Sequence, residues 1–139
     1  MGLIHANIEL VSSDDKALAR KGYISNDEIK RVKVRALVDS GVYMLAINEA
    51  VKAQLDFPSV DQQLAELANG QLKTVEIVGP IDVKFENRST TCRAVVLPGE
   101  TEVLLGTIPM EDMDVIIDPR EQQLKVHPER PYLAKKSLK

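Results

Sequence analysis

The residues with the clearest chemical potential are Asp39, Ser40 and Gly41, which follow the apolar run Ala36-Leu37-Val38 with no spacer. Such an order places a carboxylate at the mouth of a buried strand, where the backbone must turn sharply. Glycine permits the turn because it has no Cβ, and the serine hydroxyl can brace it by hydrogen-bonding nearby backbone. A carboxylate held there is partly desolvated, so its proton affinity is open to tuning, which is what proton-transfer chemistry needs. The same three residues are also ordinary turn residues. By average composition an Asp-Thr/Ser-Gly triplet arises by chance in about one chain in twenty of this length, so the triplet alone is a weak signal.

Other reactive side chains point to less. Cys92 is the single cysteine, so no intrachain disulfide can form. It falls in mid-strand with no histidine near it in sequence, as a half-buried strand residue would rather than a nucleophile. His5 lies on the polar side of its strand and is expected to be solvated; His127 is equally bland. These two histidines with Cys92 fall short of any metal-ligand spacing, so no metal or other cofactor is expected. Glu111, Asp112 and Asp114 could suggest a cation site, but charge complementing a helix dipole is the simpler reading.

The totals narrow the classes further. At 139 residues, with 44% hydrophobic and 28% charged residues, the chain reads as one globular domain with a real core. Its net charge of −3 offers no basic excess for phosphates, which argues against nucleic acid as a partner. No apolar run is long enough to span a membrane. The start, Met1-Gly2-Leu3-Ile4-His5-Ala6, lacks the basic and long apolar stretches of a signal peptide. Ala6 also stands where a myristoylation signal needs Ser or Thr. A cytoplasmic location is the expectation.

The elements that must position Asp39 are short strands. Ile4, Ala6, Ile8 and Leu10 alternate with polar residues, a half-buried strand. Ser12 to Glu28 reads as a long polar loop with a turn at Ser25-Asn26-Asp27. Val32, Val34, Ala36 and Val38 alternate again and lead into Asp39; Leu37 breaks the pattern, so both faces become covered just before the acid. Val42 to Ile47 continues extended. Asn48 can cap a helix over Glu49–Leu55, which Phe57-Pro58 ends. Gln62 to Ala68 has helical spacing and propensity, yet Asn69-Gly70 is a strong hairpin signal. The segment is read as a hairpin with the strand Leu72 to Val78.

Beyond it, Gly79-Pro80 marks a bend or edge. Ile81, Val83 and Phe85 form a strand, Asn87-Arg88 a turn, and Thr90 to Leu97 a return strand. Val103-Leu104-Leu105-Gly106 is a second apolar run ending in glycine. Thr107 can cap a short helix with Pro109 in its first turn, where Glu111 and Asp112 suit the dipole. Val115-Ile116-Ile117 is predicted to be a buried strand, followed by a turn at Asp118–Glu121 and a last strand over Gln123–His127. The domain therefore spans 1–127, with 128–139 a polar, basic tail, frayed or an oligomer contact. Many short strands with frequent turn signals predict an all-β sandwich or barrel.

In this order the pieces resemble the retropepsin-like aspartic proteases, particularly the small bacterial and archaeal members of clan AA. The resemblance covers Ile4 to Val126. Its sharpest parts are Ala36-Leu37-Val38-Asp39-Ser40-Gly41, Leu67-Ala68-Asn69-Gly70, and Val96-Leu97-Pro98-Gly99 leading to Leu104-Leu105-Gly106. It implies an all-β acid-protease barrel with one or two short helices, in which Asp39 is the catalytic carboxylate. Ser40 would brace the two catalytic loops, Gly41 would let substrate and backbone approach, and Val42 would border a pocket. Leu104-Leu105-Gly106 would pack beneath the active loop. Leu67 to Leu72, with Ala68, Asn69 and Gly70, would be a flap closing over a peptide.

The chain holds one such triplet, while the chemistry needs two carboxylates sharing a proton. The resemblance therefore implies a symmetric homodimer with Asp39 of each subunit at the two-fold axis. Three departures stand out: Val42 in place of the common alanine, Thr107 where viral relatives carry an arginine that ties the loop down, and a flap with one glycine. Two functions of different class fit. One is a homodimeric aspartic endopeptidase acting on a peptide or protein substrate, of narrow specificity given a cytoplasmic setting. The other is a non-catalytic peptide-binding or dimerisation module of the same fold. The retained triplet favours the first. A β-barrel with a chance triplet is a third reading, which a failure to dimerise would support.

Overall fold

The computed structural model describes residues 3–138; Met1, Gly2 and Lys139, at the ends of the predicted domain and tail, lie outside the described residues. The described residues hold nine strands: β1 (His5–Ser12), β2 (Arg31–Val38), β3 (Leu45–Asn48), β4 (Ser59–Glu66), β5 (Leu72–Phe85), β6 (Arg88–Leu97), β7 (Leu104–Leu105), β8 (Val115–Asp118) and β9 (Gln123–Val126). Three short helices join them: α1 (Ser13–Arg20), α2 (Glu49–Leu55) and α3 (Thr107–Met113). The expectation of an all-β fold holds, with a third helix beyond the one or two predicted.

The main sheet has the order β1-β2-β7-β3-β6-β5-β4, and β1 pairs also with β5. The pairings thus run in a closed circuit through six strands, with β4 outside it. β5 makes this possible by dividing its outer edge: Leu72–Val78 pairs with β4, while Ile81–Lys84 pairs with β1. The register shifts between Val78 and Ile81, at Gly79-Pro80. Gly79 sits there at φ +146°, with Arg93 Cα 3.2 Å from where its Cβ would lie. Leu10, Leu45, Ile47, Ile77, Ile81, Val83 and Leu105 fill the interior and are fully buried. In β1 Ala6, Ile8 and Leu10 are buried as the alternation predicts, and Val11 and Ser12 at its end are buried too.

Several local expectations need correction. The predicted loop 12–28 contains α1, capped by Ser12, whose Oγ accepts from the Asp15 amide at 3.2 Å. Asp14 and Asp15 in its first turn and Arg20 in its last complement the dipole. Periodicity missed it because only Asp15 of its eight residues is buried. The helix is instead docked by polar contacts: Ser13 and Lys16 both reach the Asp82 carboxylate, and Asp15 accepts from the Lys30 amide. The 87–88 turn lies one residue earlier, at Glu86-Asn87, with Glu86 at φ 51°; Arg88 is a buried strand residue.

α2 forms as predicted, with Asn48 Oδ1 accepting from the Val51 amide at 2.9 Å. The helix-or-hairpin ambiguity over 62–68 resolves as strand, because β5 supplies a partner and tertiary pairing overrides propensity. β4 is exposed along nearly its whole length, so no buried face imposed a period of two. α3 is capped by Gly106, not Thr107, and its first turn holds no acidic residue; Glu111 and Asp112 lie further along. β8 is half-buried rather than buried, and among the described residues β9 is its one strand partner. Of the tail, Arg130, Pro131, Lys135 and Lys136 are fastened to the body, by Arg88, Asn87, Asp114 and Asp112 respectively, while Tyr132, Leu133 and Leu138 stand exposed.

Candidate active site

β2 delivers Asp39 to the mouth of the circuit. Its run-in is fixed from both sides: the Val38 amide donates to Ile4 O at 2.8 Å, and the Leu37 amide to Val103 O at 2.8 Å. The Asp39 amide then donates to Leu105 O at 3.0 Å, so β7 lies directly alongside the acid. Asp39 Oδ1 accepts from the Gly41 amide at 2.9 Å, and Asp39 O accepts from the Val42 amide at 3.2 Å. The carboxylate therefore braces its own turn. The Ser40 hydroxyl, which the sequence allowed to brace this turn, makes no such contact among the described residues; Ser40 is exposed.

The outgoing chain is tied down by backbone. Thr107 N–H donates to Val42 O at 2.8 Å and Ile108 N–H to Tyr43 O at 2.9 Å. These bonds hold the loop at the position where the viral relatives were expected to use an arginine. They require Gly106. A Cβ there would lie 2.4 Å from Met44 O and 2.6 Å from Val42 O. The requirement is steric, since Gly106 has ordinary extended backbone.

Asp39 is half-buried and lines a hollow of about 250 Å³ with Leu3, Ile4, Ser40, Ile117 and Gln122. A second hollow of about 240 Å³ also reaches Ser40, walled by Met110, Val115, Ile116 and Ile117, with Thr107 and Glu111. The β8–β9 hairpin thus supplies a wall to both. Sequence reasoning missed Ile117 and Gln122. The apolar run and the Asp118-Pro119 turn were legible as a hairpin, but nothing local says where a hairpin docks.

Asp39, Ser40 and Gly41 share one turn, and Val42 after them is half-buried with both its backbone polar groups bonded. Ala68, Asn69 and Gly70 form the exposed tip of the β4–β5 hairpin and line neither hollow. That tip is a five-residue loop, Leu67 to Gln71, closed by Leu67 N–H to Gln71 O at 2.8 Å. Gly70 is there at φ +83°, and Asn69 Oδ1 accepts from the Gln71 amide at 3.0 Å. Leu64 and Leu72 stand largely exposed on the hairpin, an apolar surface without a core to cover.

The remaining candidates take structural roles. Burial, and then the charges of Asp112 and Asp82, push the Cys92 thiol up to about 12, so it is not a thiolate. His5 is not simply solvated: its Nε2 lies 2.8 Å from Glu102 Oε1. Asp112 pairs with Lys136 at 3.1 Å and Asp114 with Arg130 at 2.7 Å, so these acids hold the tail rather than a cation. Among the described residues no group of three or more His, Cys, Asp or Glu is placed to hold a metal.

An acid-glycine turn clamped under a short apolar strand, in a closed mostly-β fold, defines a retropepsin-like aspartyl protease domain. Residues 22–108, well over half of the chain, match the family model described as aspartyl protease, and the chain belongs to that family. The match includes Asp39–Gly41, the β4–β5 hairpin and Leu104–Gly106; β8, β9 and the tail lie beyond it. No curated protein matches the chain. No described helix is long and apolar enough to cross a membrane.

Proposed function

We propose that the protein is an aspartic endopeptidase that acts as a homodimer, with Asp39 of each subunit facing the other across the two-fold axis. The observation that carries this reading is the Asp39 turn itself: a half-buried carboxylate, held by the Leu105 carbonyl at its amide and facing a hollow. Two carboxylates at close range cannot both be charged, so the pair holds one proton. The ionised Asp39 takes a proton from water as that water attacks the scissile carbonyl carbon. The protonated Asp39 donates to the carbonyl oxygen. As the tetrahedral species collapses and its C–N bond breaks, the Asp39 that took the water's proton gives it to the leaving amine, and the other Asp39 regains a proton from the gem-diol hydroxyl, so the pair again holds one proton. The pair titrates as a unit, not as two independent residues.

A second copy is required because the chain carries a single triplet. The surface around Ser40 favours one: among the described residues one edge of β8 has no strand partner, Leu3 is largely exposed, and Ser40 lines two partly apolar hollows. The substrate is a peptide or protein segment, with the β4–β5 hairpin as its cover and Ala68, Asn69 and Gly70 at the closing tip. No nucleic acid, membrane or cofactor enters this reading, and the expected setting is cytoplasmic.

The test is cleavage of a diverse peptide library across mildly acidic to neutral pH, wild type against Asp39→Asn, read by mass spectrometry, with sedimentation of both proteins. Cuts made by wild type and absent in the variant, with specific activity falling on dilution, are expected. A stable dimer that cuts nothing would replace this reading with a peptide-binding module. Activity surviving in Asp39→Asn would remove Asp39 from the chemistry.

A further inference from the structure

The C-terminal segment is strapped across the body, and several of its fastenings meet at Asp114. Arg130 meets the Asp114 carboxylate with two parallel bonds, Nε to Oδ2 at 2.7 Å and Nη2 to Oδ1 at 3.0 Å. The Lys135 amide donates to the same carboxylate at 3.0 Å, and the His127 amide donates to the Asp114 carbonyl at 3.2 Å. Further along, Lys136 reaches Asp112 on α3. The β5–β6 turn completes the strap: Asn87 Nδ2 donates to Pro131 O at 2.9 Å, and the buried Arg88 donates through Nη2 to Arg130 O.

Asp114 is not a casual anchor. It ends α3 in the left-handed conformation, at φ 55°, and the next residue begins β8. A non-glycine residue at positive φ is uncommon, though Asp is among those that tolerate it, and here both its carboxylate and its carbonyl are bonded to later residues. The direction in which β8 leaves α3 therefore depends on what grips Asp114. β8 has one strand partner and one unpaired edge among the described residues, and it otherwise rests on the core through Val115 and Ile117. Yet Ile117 of β8 lines both hollows at Ser40.

We infer that the Asp114–Arg130 pair is a positioning clamp through which the C-terminal strap sets β8 against the Asp39–Ser40 turn and presents its free edge to a second copy of the chain. The dimer part of this inference rests on the reading proposed above; the placement of β8 does not. Arg130 acts through Asp114 and β8, so it is a positioning residue. A planar guanidinium making two bonds to one carboxylate fixes direction as well as distance, which a lysine ammonium does not.

The experiment compares full-length wild type, Arg130→Met, Arg130→Lys and the milder Lys136→Met. It reads amide hydrogen exchange in 115–118, the dimer dissociation constant by sedimentation, and peptide cleavage at low and high protein concentration. In Arg130→Met, exchange in 115–118 and the dissociation constant are each expected to rise about tenfold, the effect of losing one charge-assisted bidentate contact. Exchange in β5 and β6 should stay as in wild type. Cleavage should be lost at low concentration and recovered at high, with Arg130→Lys between the two and Lys136→Met closest to wild type. Unchanged exchange in 115–118, or an equal rise through the whole sheet, would overturn the clamp. Should wild type neither dimerise nor cleave, the dimeric-protease reading fails, and the exchange in 115–118 still decides the clamp.

Discussion

Asp39 and Leu105 are joined by a backbone hydrogen bond of 3.0 Å, from the amide of the acid to the carbonyl of the strand beside it. One residue further, Gly106 lies against Val42, Tyr43 and Met44 on the far side of the same turn. The acid is thus held at its amide by a strand and, just after its turn, by the start of a helix. Both supports come from a segment distant in sequence. The position of the carboxylate is consequently a property of the tertiary fold, and substitutions in that remote segment should be felt at the site.

Gly106→Ala tests this directly. The added methyl would meet three backbone groups at 2.4 to 2.7 Å, and backbone cannot rotate away as a flexible side chain can. The expected loss is about 3 kcal/mol of stability, the upper range for overpacking. Gly70→Ala is the contrast, with nothing within 4 Å but φ at +83°, and should lose about 1 kcal/mol from left-handed strain alone. Urea denaturation of both variants measures the difference. Equal midpoints would mean the Asp39 loop is free to move off β7.

Asp39→Asn should separate chemistry from folding. Among the described residues the Asp39 carboxylate accepts one hydrogen bond, from the Gly41 amide, and an asparagine oxygen can accept it as well. Thermal unfolding near neutral pH should shift little. Peptide cleavage should fall by about a hundredfold to ten-thousandfold, as for loss of a general acid-base group. A large drop in melting temperature would instead mark Asp39 as a structural turn residue.

Acid stability should depend on Asp82. Burial alone would raise this carboxyl, but hydrogen bonds from Lys16, Ser13 and Thr91 outweigh it and hold the group below its ordinary value of 3.8. A carboxyl depressed in the folded state stabilises fully above its unfolded value and loses that contribution as pH falls through the folded value. Asp82→Asn should therefore be less stable than wild type near neutral pH, with the gap closing below about pH 4. Melting temperatures of both proteins across pH 2 to 7, together with hydrogen exchange in α1, test it. A gap that widened on acidification would reverse the sign and refute the account.

Cys92 should resist alkylation in the folded protein. With the thiol pushed up to about 12, its thiolate fraction at pH 8 is lower than that of a free cysteine by on the order of a thousandfold. Intact-mass analysis after iodoacetamide, native against denatured, reads this. Fast native modification would show the strand around Cys92 opening readily.

The features legible in the sequence share a short range. The Ala36–Gly41 stretch announced a strand ending in an acid and a turn, since six adjacent residues contain the whole signal. Alternation in Ala6, Ile8 and Leu10 and the Asn48 cap of α2 were legible for the same reason. Where local signals conflicted, as over 62–68, or where an element buried almost nothing, as in α1, the sequence was ambiguous or silent. A period in hydrophobicity says that one face will be covered; it does not say by what.

That second question belongs to the tertiary structure. Only the folded chain shows β1 closing onto β5, Gly106 wedged beneath the Val42–Met44 backbone, α1 docked on Asp82, and β8 walling both hollows at Ser40. The acidic residues of α3 are the clearest instance. Their types alone suggested dipole complement or a cation, whereas Asp112 and Asp114 in fact hold the chain's own tail. A charge acquires its role from the partner facing it, and for residues brought together by folding that partner is set by the path of the whole chain.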